Sequence, residues 1–338
     1  MSMASAWWSS RRWSASPSPS RARRRSSTVS RASLRRSLSA IALCVAAVSA
    51  GVDANAIAVV DDGGHAFVFE RPPQRVVTLA PSLSELVFAA GGGASLVGTS
   101  ALSDYPPAAR AIARVGDAGR VDVERVIALK PDLVLIWQRG STSRELEQLE
   151  GAGIRLFQLE PRRLDDVARA IERLGALLGH EAEANQRASE MRAALDRLRS
   201  SHAGATPVSV FYQVWRQPLM TVNGKHLIDD ILTLCGGRNV FAGLTPLVPI
   251  ISSEAVVGAD PEAILTASEN ASPEPWRRDP GNASFAAWHR HARMTAVRHA
   301  WLYALNGDNI SRQGPRVVDG AAAVCAVLDQ VRSERAGR

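Results

Sequence analysis

The sequence predicts an α/β protein of two Rossmann-like lobes with parallel sheets, joined by a single long backbone helix, with a ligand cleft between the lobes. Three observations carry this. Short apolar runs alternate with amphipathic segments from residue 75 to about 160 and again from 208, the pattern of parallel strands covered by helices on both faces. The stretch "VDVERVIALKPDLVLIW" (121–137) returns as "ISSEAVVGADPEAILTA" (251–267), with Glu124 falling on Glu254, Val126 on Val256, Pro131 on Pro261 and Asp132 on Glu262. Between these halves, residues 181–204 hold no proline and no strand-like run. Their apolar positions Ala184, Ala188, Met191, Leu195 and Leu198 step by three and four, as a helix requires. A helix of roughly 20 residues spans about 30 Å, which suits a strut between lobes.

The elements follow in order. "RVVTLA" (75–80) is a short strand, and "SLSE" (82–85) reads as a capping box with Ser82 at the N-cap and Glu85 three residues on. That helix stops at Gly91-Gly92-Gly93. "SLVGTS" (95–100) is a second strand and "LSDYPP" the loop leaving it. Asp122 caps a helix that runs to Leu129, and "DLVLIW" is a third strand ending at Trp137. "RELEQLEGAG" and "IRLFQL" add a helix and a strand, and "LDDVARAIERLGALLG" a further amphipathic helix. Past the strut, Pro207 restarts the strands with "VSVFYQV" (208–214), followed by the extended "LMTVNGK" with a turn at Asn223-Gly224. "HLIDDILTLCGG" is a helix ended by glycines. The repeated unit comes next, then a loop rich in Pro and Trp (272–288), the strand "AWLYAL" (300–305) and a last helix from about Gly314. The divisions read from this are a leader at 1–56, a first lobe at 57–180, the linking helix at 181–204 and a second lobe at 205–333.

A chain of 338 residues holds two domains of ordinary size. Its net charge of +7 invites a nucleic-acid reading. Residues 1–56, however, carry nine of the 40 basic residues and one of the 33 acidic ones, leaving 31 against 32. The basicity belongs to the leader, and nucleic acid is excluded as a partner. Arg35-Arg36 precede an apolar run from Leu38 to Ala50, and Ala54–Ala56 offer small residues for a signal peptidase. The run is short for a membrane span. An exported, periplasmic chain cleaved near Ala56 is preferred to a disordered Ser/Arg tail before a buried helix. "RRSLSA" is a partial twin-arginine pattern, with Sec export the default, and Leu43 before Cys44 is too bulky for lipid attachment.

Two cysteines then remain, Cys235 and Cys325. In an exported chain they favour one disulfide over two buried thiols. "HRH" (289–291) and His299 read as solvated surface rather than a metal site, since Arg290, Arg293 and Arg298 would repel a cation. Candidate cleft residues stand on loops after strands: Tyr105, Trp137, Trp215, Asp308 and Arg312. Each has a plainer alternative. Trp137 could be core, Tyr105 an anchor beside its two prolines, and Asp308 with Arg312 a surface pair of small value. No phosphate loop, GxSxG elbow or HExxH occurs. A binder is favoured over an enzyme, with neither cofactor nor resident metal.

"RVVTLAPSLSELVFAAG", "SDYPPAA", "VERVIALKPDLVLIW" and "LCGGRNVF" resemble the helical-backbone class of substrate-binding proteins that serve ABC importers. The resemblance covers about residues 73–331. "SDYPP" with "GDNISRQGPR" narrows it to corrinoid binders, so the implied ligand is cobalamin or a related corrinoid, taken up by a chain that is monomeric when free. By the resemblance, Tyr105 and Trp137 offer ring faces in the cleft, while Asp308 and Arg312 meet polar side groups of the corrin. Glu124 and Glu254 would dock onto arginines of the importer's membrane subunits, and Cys235 would pair with Cys325. Three positions depart from the corrinoid pattern. Ala118, Val214 and Val248 stand where that branch carries cleft aromatics, each worth about 0.5–1.5 kcal/mol of specific packing. Trp215, beside Val214, could compensate. The departures imply a corrinoid with a different lower base, or looser binding. A ferric-siderophore or haem binder of the same fold is the alternative, and an exported corrinoid-processing enzyme a more distant one.

Overall fold

The computed structural model describes residues 56–117, 120–137, 143–268 and 274–337. The export signal read in the leader lies outside the described residues, as does Ala118. The described chain opens with an antiparallel ribbon that no periodicity announces, β1 (Ile57–Val60) and β2 (Ala66–Phe69). Phe67 of this ribbon packs its ring 5.2 Å from that of Phe157. β3 (Val76–Thr78) leads into α1 (Pro81–Ala89), and β4 (Leu96–Thr99) follows. A small ribbon, β5 (Gly116–Asp117) with β6 (Arg120–Val121), precedes α2 (Val123–Ala128). Then come β7 (Leu133–Ile136), α3 (Ser143–Gly151), β8 (Leu156–Gln158) and α4 (Leu164–Leu178). The sheet runs β4–β3–β7–β8, all parallel. Every residue of β7 is buried, as expected of a central strand covered on both faces.

One capping expectation fails. α1 begins at Pro81, whose missing N–H costs nothing in a first turn, with Ala80 at the N-cap and no side-chain cap. Ser82 and Glu85 are therefore inside the helix, and Glu85 turns toward the other half of the molecule.

α5 (Glu181–Ser201) is the predicted long helix, 21 residues with burial confined to Ala184, Ala188, Met191 and Leu195. It lies antiparallel to α4. Arg192 reaches back to Glu172 at 2.8 Å and Asp165 at 3.0 Å. Gly175 lets the two backbones approach, because a Cβ there would stand 2.2 Å from that of Ala184. The far end of α5 meets the second half, where His202 Nε2 lies 3.1 Å from Asp329.

The second half contains β9 (Val208–Gln213), the hairpin of β10 (Trp215–Arg216) and β11 (Leu219–Met220), α6 (Leu227–Leu234) and β12 (Gly237–Asn239). After these come α7 (Ser253–Ala259), β13 (Ala263–Ser268), β14 (Trp276–Arg278), α8 (Thr295–Arg298), β15 (Leu302–Asn306), α9 (Gly307–Ser311) and α10 (Val317–Ala336). The sheet order is β12–β9–β13–β15–β14, parallel except for the edge strand β14. β12, β14 and α9 are too short to show a period in sequence. Cys235, at the end of α6, is bonded to Cys325 in α10.

The internal repeat now has a physical meaning. Asp122 and Ser252 cap α2 and α7 by accepting from Arg125 N at 3.0 Å and Ala255 N at 3.2 Å. Lys130 (φ 46) and Asp260 (φ 38) turn left-handed before Pro131 and Pro261. Asp132 then accepts from the backbone N–H groups of Gln74 and Arg75 at 2.9 and 3.0 Å. Glu262 accepts from that of Ser209 at 2.8 Å. Each acid thus ties its strand to a parallel neighbour, β7 to β3 and β13 to β9.

Candidate functional site

A cavity of about 420 Å³ opens between the two sheets, at the carboxyl ends of their strands, where open α/β sheets present ligand sites. Trp137 reaches it from the exit of β7, Glu160 and Arg162 from that of β8, Val214 from β9, and Ile310 and Gln313 from beyond β15. Its apolar wall also holds Leu247 and Val248, and its polar wall Lys225 and His226. Tyr212 lines the base; burial pushes its phenol above the ordinary range, although a hydrogen bond with Ser311 opposes this. A larger groove of about 830 Å³ runs beside α4 and α5. Its arginines are already paired with carboxylates, Arg173 with Asp62 at 2.7 Å and Arg169 with Asp166. The smaller cavity combines apolar walls with polar groups from both lobes, and it is the candidate site.

Trp137 is half-buried at the cavity wall. Tyr105, Asp308 and Arg312 meet beside the cavity in an ionic cluster. Arg312 Nη1 donates to Asp104 at 2.9 Å and to Glu85 at 3.1 Å, and its Nη2 lies 2.8 Å from Asp308. Arg316 donates to both oxygens of Glu85, at 3.0 and 2.7 Å, and stacks 4.5 Å above the Tyr105 ring. The Glu85 side chain is 1% exposed. Asp308 and Arg312 are therefore not an isolated surface pair: they join a network in which Glu85 and Asp104 come from the first lobe and Asp308, Arg312 and Arg316 from the second. Burial works to raise the Asp104 carboxyl, but the Arg312 hydrogen bond and charge outweigh it and hold it below its ordinary value. The residues on either side of Arg312, Ser311 and Gln313, line the cavity.

Trp215 sits on the β10–β11 hairpin with its indole N–H donating to Gln217 O at 2.9 Å, and it is not among the residues that line the cavity. Val214 lines the cavity instead, since successive side chains of an extended segment point to opposite sides. Val214 and Val248 are both at the wall, so two of the aromatic-to-aliphatic departures fall on the site itself. Glu124 and Glu254 are exposed in the first turns of α2 and α7, and neither lines the cavity. The backbone N–H of Glu254 and the hydroxyls of Ser252 and Ser253 hold the Glu254 carboxyl below its ordinary range.

Sequence reasoning missed Arg162, Lys225 and His226. Arg162 follows a strand, as the other candidates do; Lys225 and His226 precede a helix, and a search confined to strand exits passes over them. His226 caps α6, its Nδ1 accepting from Ile228 N at 3.1 Å. Among the described residues no group of three His, Cys, Asp or Glu could hold a metal, and no helix is long and apolar enough to cross a membrane.

Two α/β lobes on a strut, with an apolar cavity between them, define a protein that captures a small ligand. Residues 76–308 match the family model described as periplasmic binding protein, and the chain belongs to that family. The vitamin B12-binding protein of Photorhabdus laumondii is 35% identical over 257 residues, covering 76% of this chain and 88% of that one. The crystal structure of the periplasmic vitamin B12 binding protein of Vibrio cholerae superposes with a TM-score of 0.68 at 33% identity, covering 77% of this chain and 98% of the other. A periplasmic heme binding protein of Pseudomonas aeruginosa gives a TM-score of 0.61 at 28% identity, covering 75% and 92%.

Proposed function

We propose that this chain is exported, captures a corrinoid (cobalamin or a relative) in the cavity between its lobes, and delivers it to an ABC importer. The observation that carries this is the cavity itself, an apolar wall of Trp137, Val214, Leu247, Val248 and Ile310 facing polar groups from both lobes. A flat ring fringed with amides needs both kinds of surface. The likeness to two vitamin B12-binding proteins supports the choice of ligand. Tyr105, Asp308 and Arg312 contribute at the rim of the cavity, and Trp137 from its wall. Glu124 and Glu254 are the docking pair for the importer's membrane subunits, and the free chain is a monomer.

The haem reading is favoured by the likeness to a periplasmic heme binding protein at 28% identity. It needs an axial ligand, and Tyr212, the tyrosine that lines the cavity, is already hydrogen-bonded with Ser311. The Tyr105 ring is stacked on Arg316 outside the cavity lining. The Nδ1 lone pair of His226 is committed to the cap of α6, so its proton is on Nε2. Absorbance titration of the mature protein with cobalamin, haem and a ferric siderophore decides between them. Saturable binding of cobalamin alone is the expected result; tight binding of haem or the siderophore without cobalamin would reject the proposal.

A further inference from the structure

We infer that the cavity selects a ligand bearing an anionic group and that Lys225 is the specificity-determining residue for it. This rests on the corrinoid reading and narrows it to corrinoids that carry the phosphodiester of a nucleotide arm. The charges along the cavity are uneven. Arg162 and Lys225 bring cations from opposite lobes, and Glu160 is the one carboxylate among the described lining residues. Glu160 is buried and engaged, with Arg162 Nη2 at 3.5 Å and Gln158 Nε2 at 3.4 Å.

Other cations near the cleft are committed. Arg312 and Arg316 are held by Glu85, Asp104 and Asp308. Lys225 differs: it is exposed, lines the cavity and makes no ion pair with any described residue. Its backbone is nonetheless fixed. Lys225 N donates to Asn223 Oδ1 at 2.9 Å, and buried Asn223 donates in turn to Leu244 O and Thr245 O at 2.9 and 3.1 Å. The neighbouring His226 accepts at Nδ1 from Ile228 N at 3.1 Å and adds no carboxylate to this wall. The polar wall is thus cationic, with Arg162 and Lys225 facing one carboxylate that is already engaged. A phosphodiester placed there exchanges water for charge-assisted hydrogen bonds, whereas the amides around a corrin ring carry no charge to be recognised.

The test compares cobalamin with cobinamide, which lacks the nucleotide arm, on the wild-type mature chain, Lys225→Gln and Lys225→Arg. Lys225→Gln should lower the cobalamin-to-cobinamide affinity ratio by about tenfold, the size of one charge-assisted contact. It should also reduce the salt dependence of cobalamin binding, and Lys225→Arg should retain the ratio. An unchanged ratio in Lys225→Gln, or equal affinities for the two corrinoids in the wild type, would overturn the inference while leaving corrinoid binding intact. Haem binding with silence toward both corrinoids would instead remove the reading on which it rests.

Discussion

The Glu85 carboxylate is 1% exposed and accepts from Arg312 and Arg316 of the other lobe. Substituting Glu85→Gln leaves two partly buried guanidiniums short of a charge, and unfolding in urea should show a loss of about 3 kcal/mol. A loss under about 0.5 kcal/mol, the scale of a surface pair, would contradict this account of the cluster. Asp104 adds an acid-sensitive part. Its carboxyl is held below the ordinary value of 3.8, so its contribution is complete above that pH and lost as pH falls through the lowered value. With its side chain 48% exposed, the contribution is limited to about 1 kcal/mol. Asp104→Asn should therefore cost about 1 kcal/mol at pH 7, a difference from the wild type that vanishes as pH falls below about 3.8 and so flattens the acid limb; an unaltered acid limb would show that Asp104 is not part of it.

At the scale of elements, the disulfide from α6 to α10 spans 90 residues of sequence. In the chain-entropy description, closing a loop of that length stabilises the fold by about 4–5 kcal/mol. The double variant Cys235→Ala with Cys325→Ala should lose most of that in a denaturant titration, and a loss under about 1 kcal/mol would contradict it. Much of the secondary structure was legible because its physics is local. The central strand β7 is a run of four apolar residues, α5 has a clean three-and-four step, and Asp122 caps α2 directly. What escaped depends on partners distant in sequence. β12 is "GRN", a strand only because it lies along β9. β14 lies in a Pro- and Trp-containing loop and exists by pairing with β15. The direction of the Trp215 side chain is set by the hairpin with β11, a pairing its residue type does not announce. Lys225 and His226 were invisible as site residues because the cavity is made by the approach of two lobes, which no window of sequence contains.

The whole molecule is two similar halves on one strut, and the repeat marks corresponding corners of each. Glu124 and Glu254 are the second residues of α2 and α7, exposed in both halves. A helix-dipole role is worth about 0.3–1 kcal/mol for each carboxylate, but it gives no reason for the two lobes to agree. Docking onto paired sockets of an importer does, since charges at both ends fix orientation and speed encounter. Glu124→Arg combined with Glu254→Arg should abolish uptake in reconstituted vesicles and leave ligand affinity unaltered. Normal uptake by that variant would reject docking through these residues, and loss of ligand binding would assign them to the cleft.

The central claim, that the cavity between the lobes holds a corrinoid, is tested most directly by calorimetric titration of cobalamin into the wild-type mature chain and Trp137→Ala. One ligand per chain is expected in the wild type. Binding should weaken by about 1–3 kcal/mol when the indole face is removed, with the melting transition retained. No heat with cobalamin, or an affinity indifferent to Trp137, would contradict it.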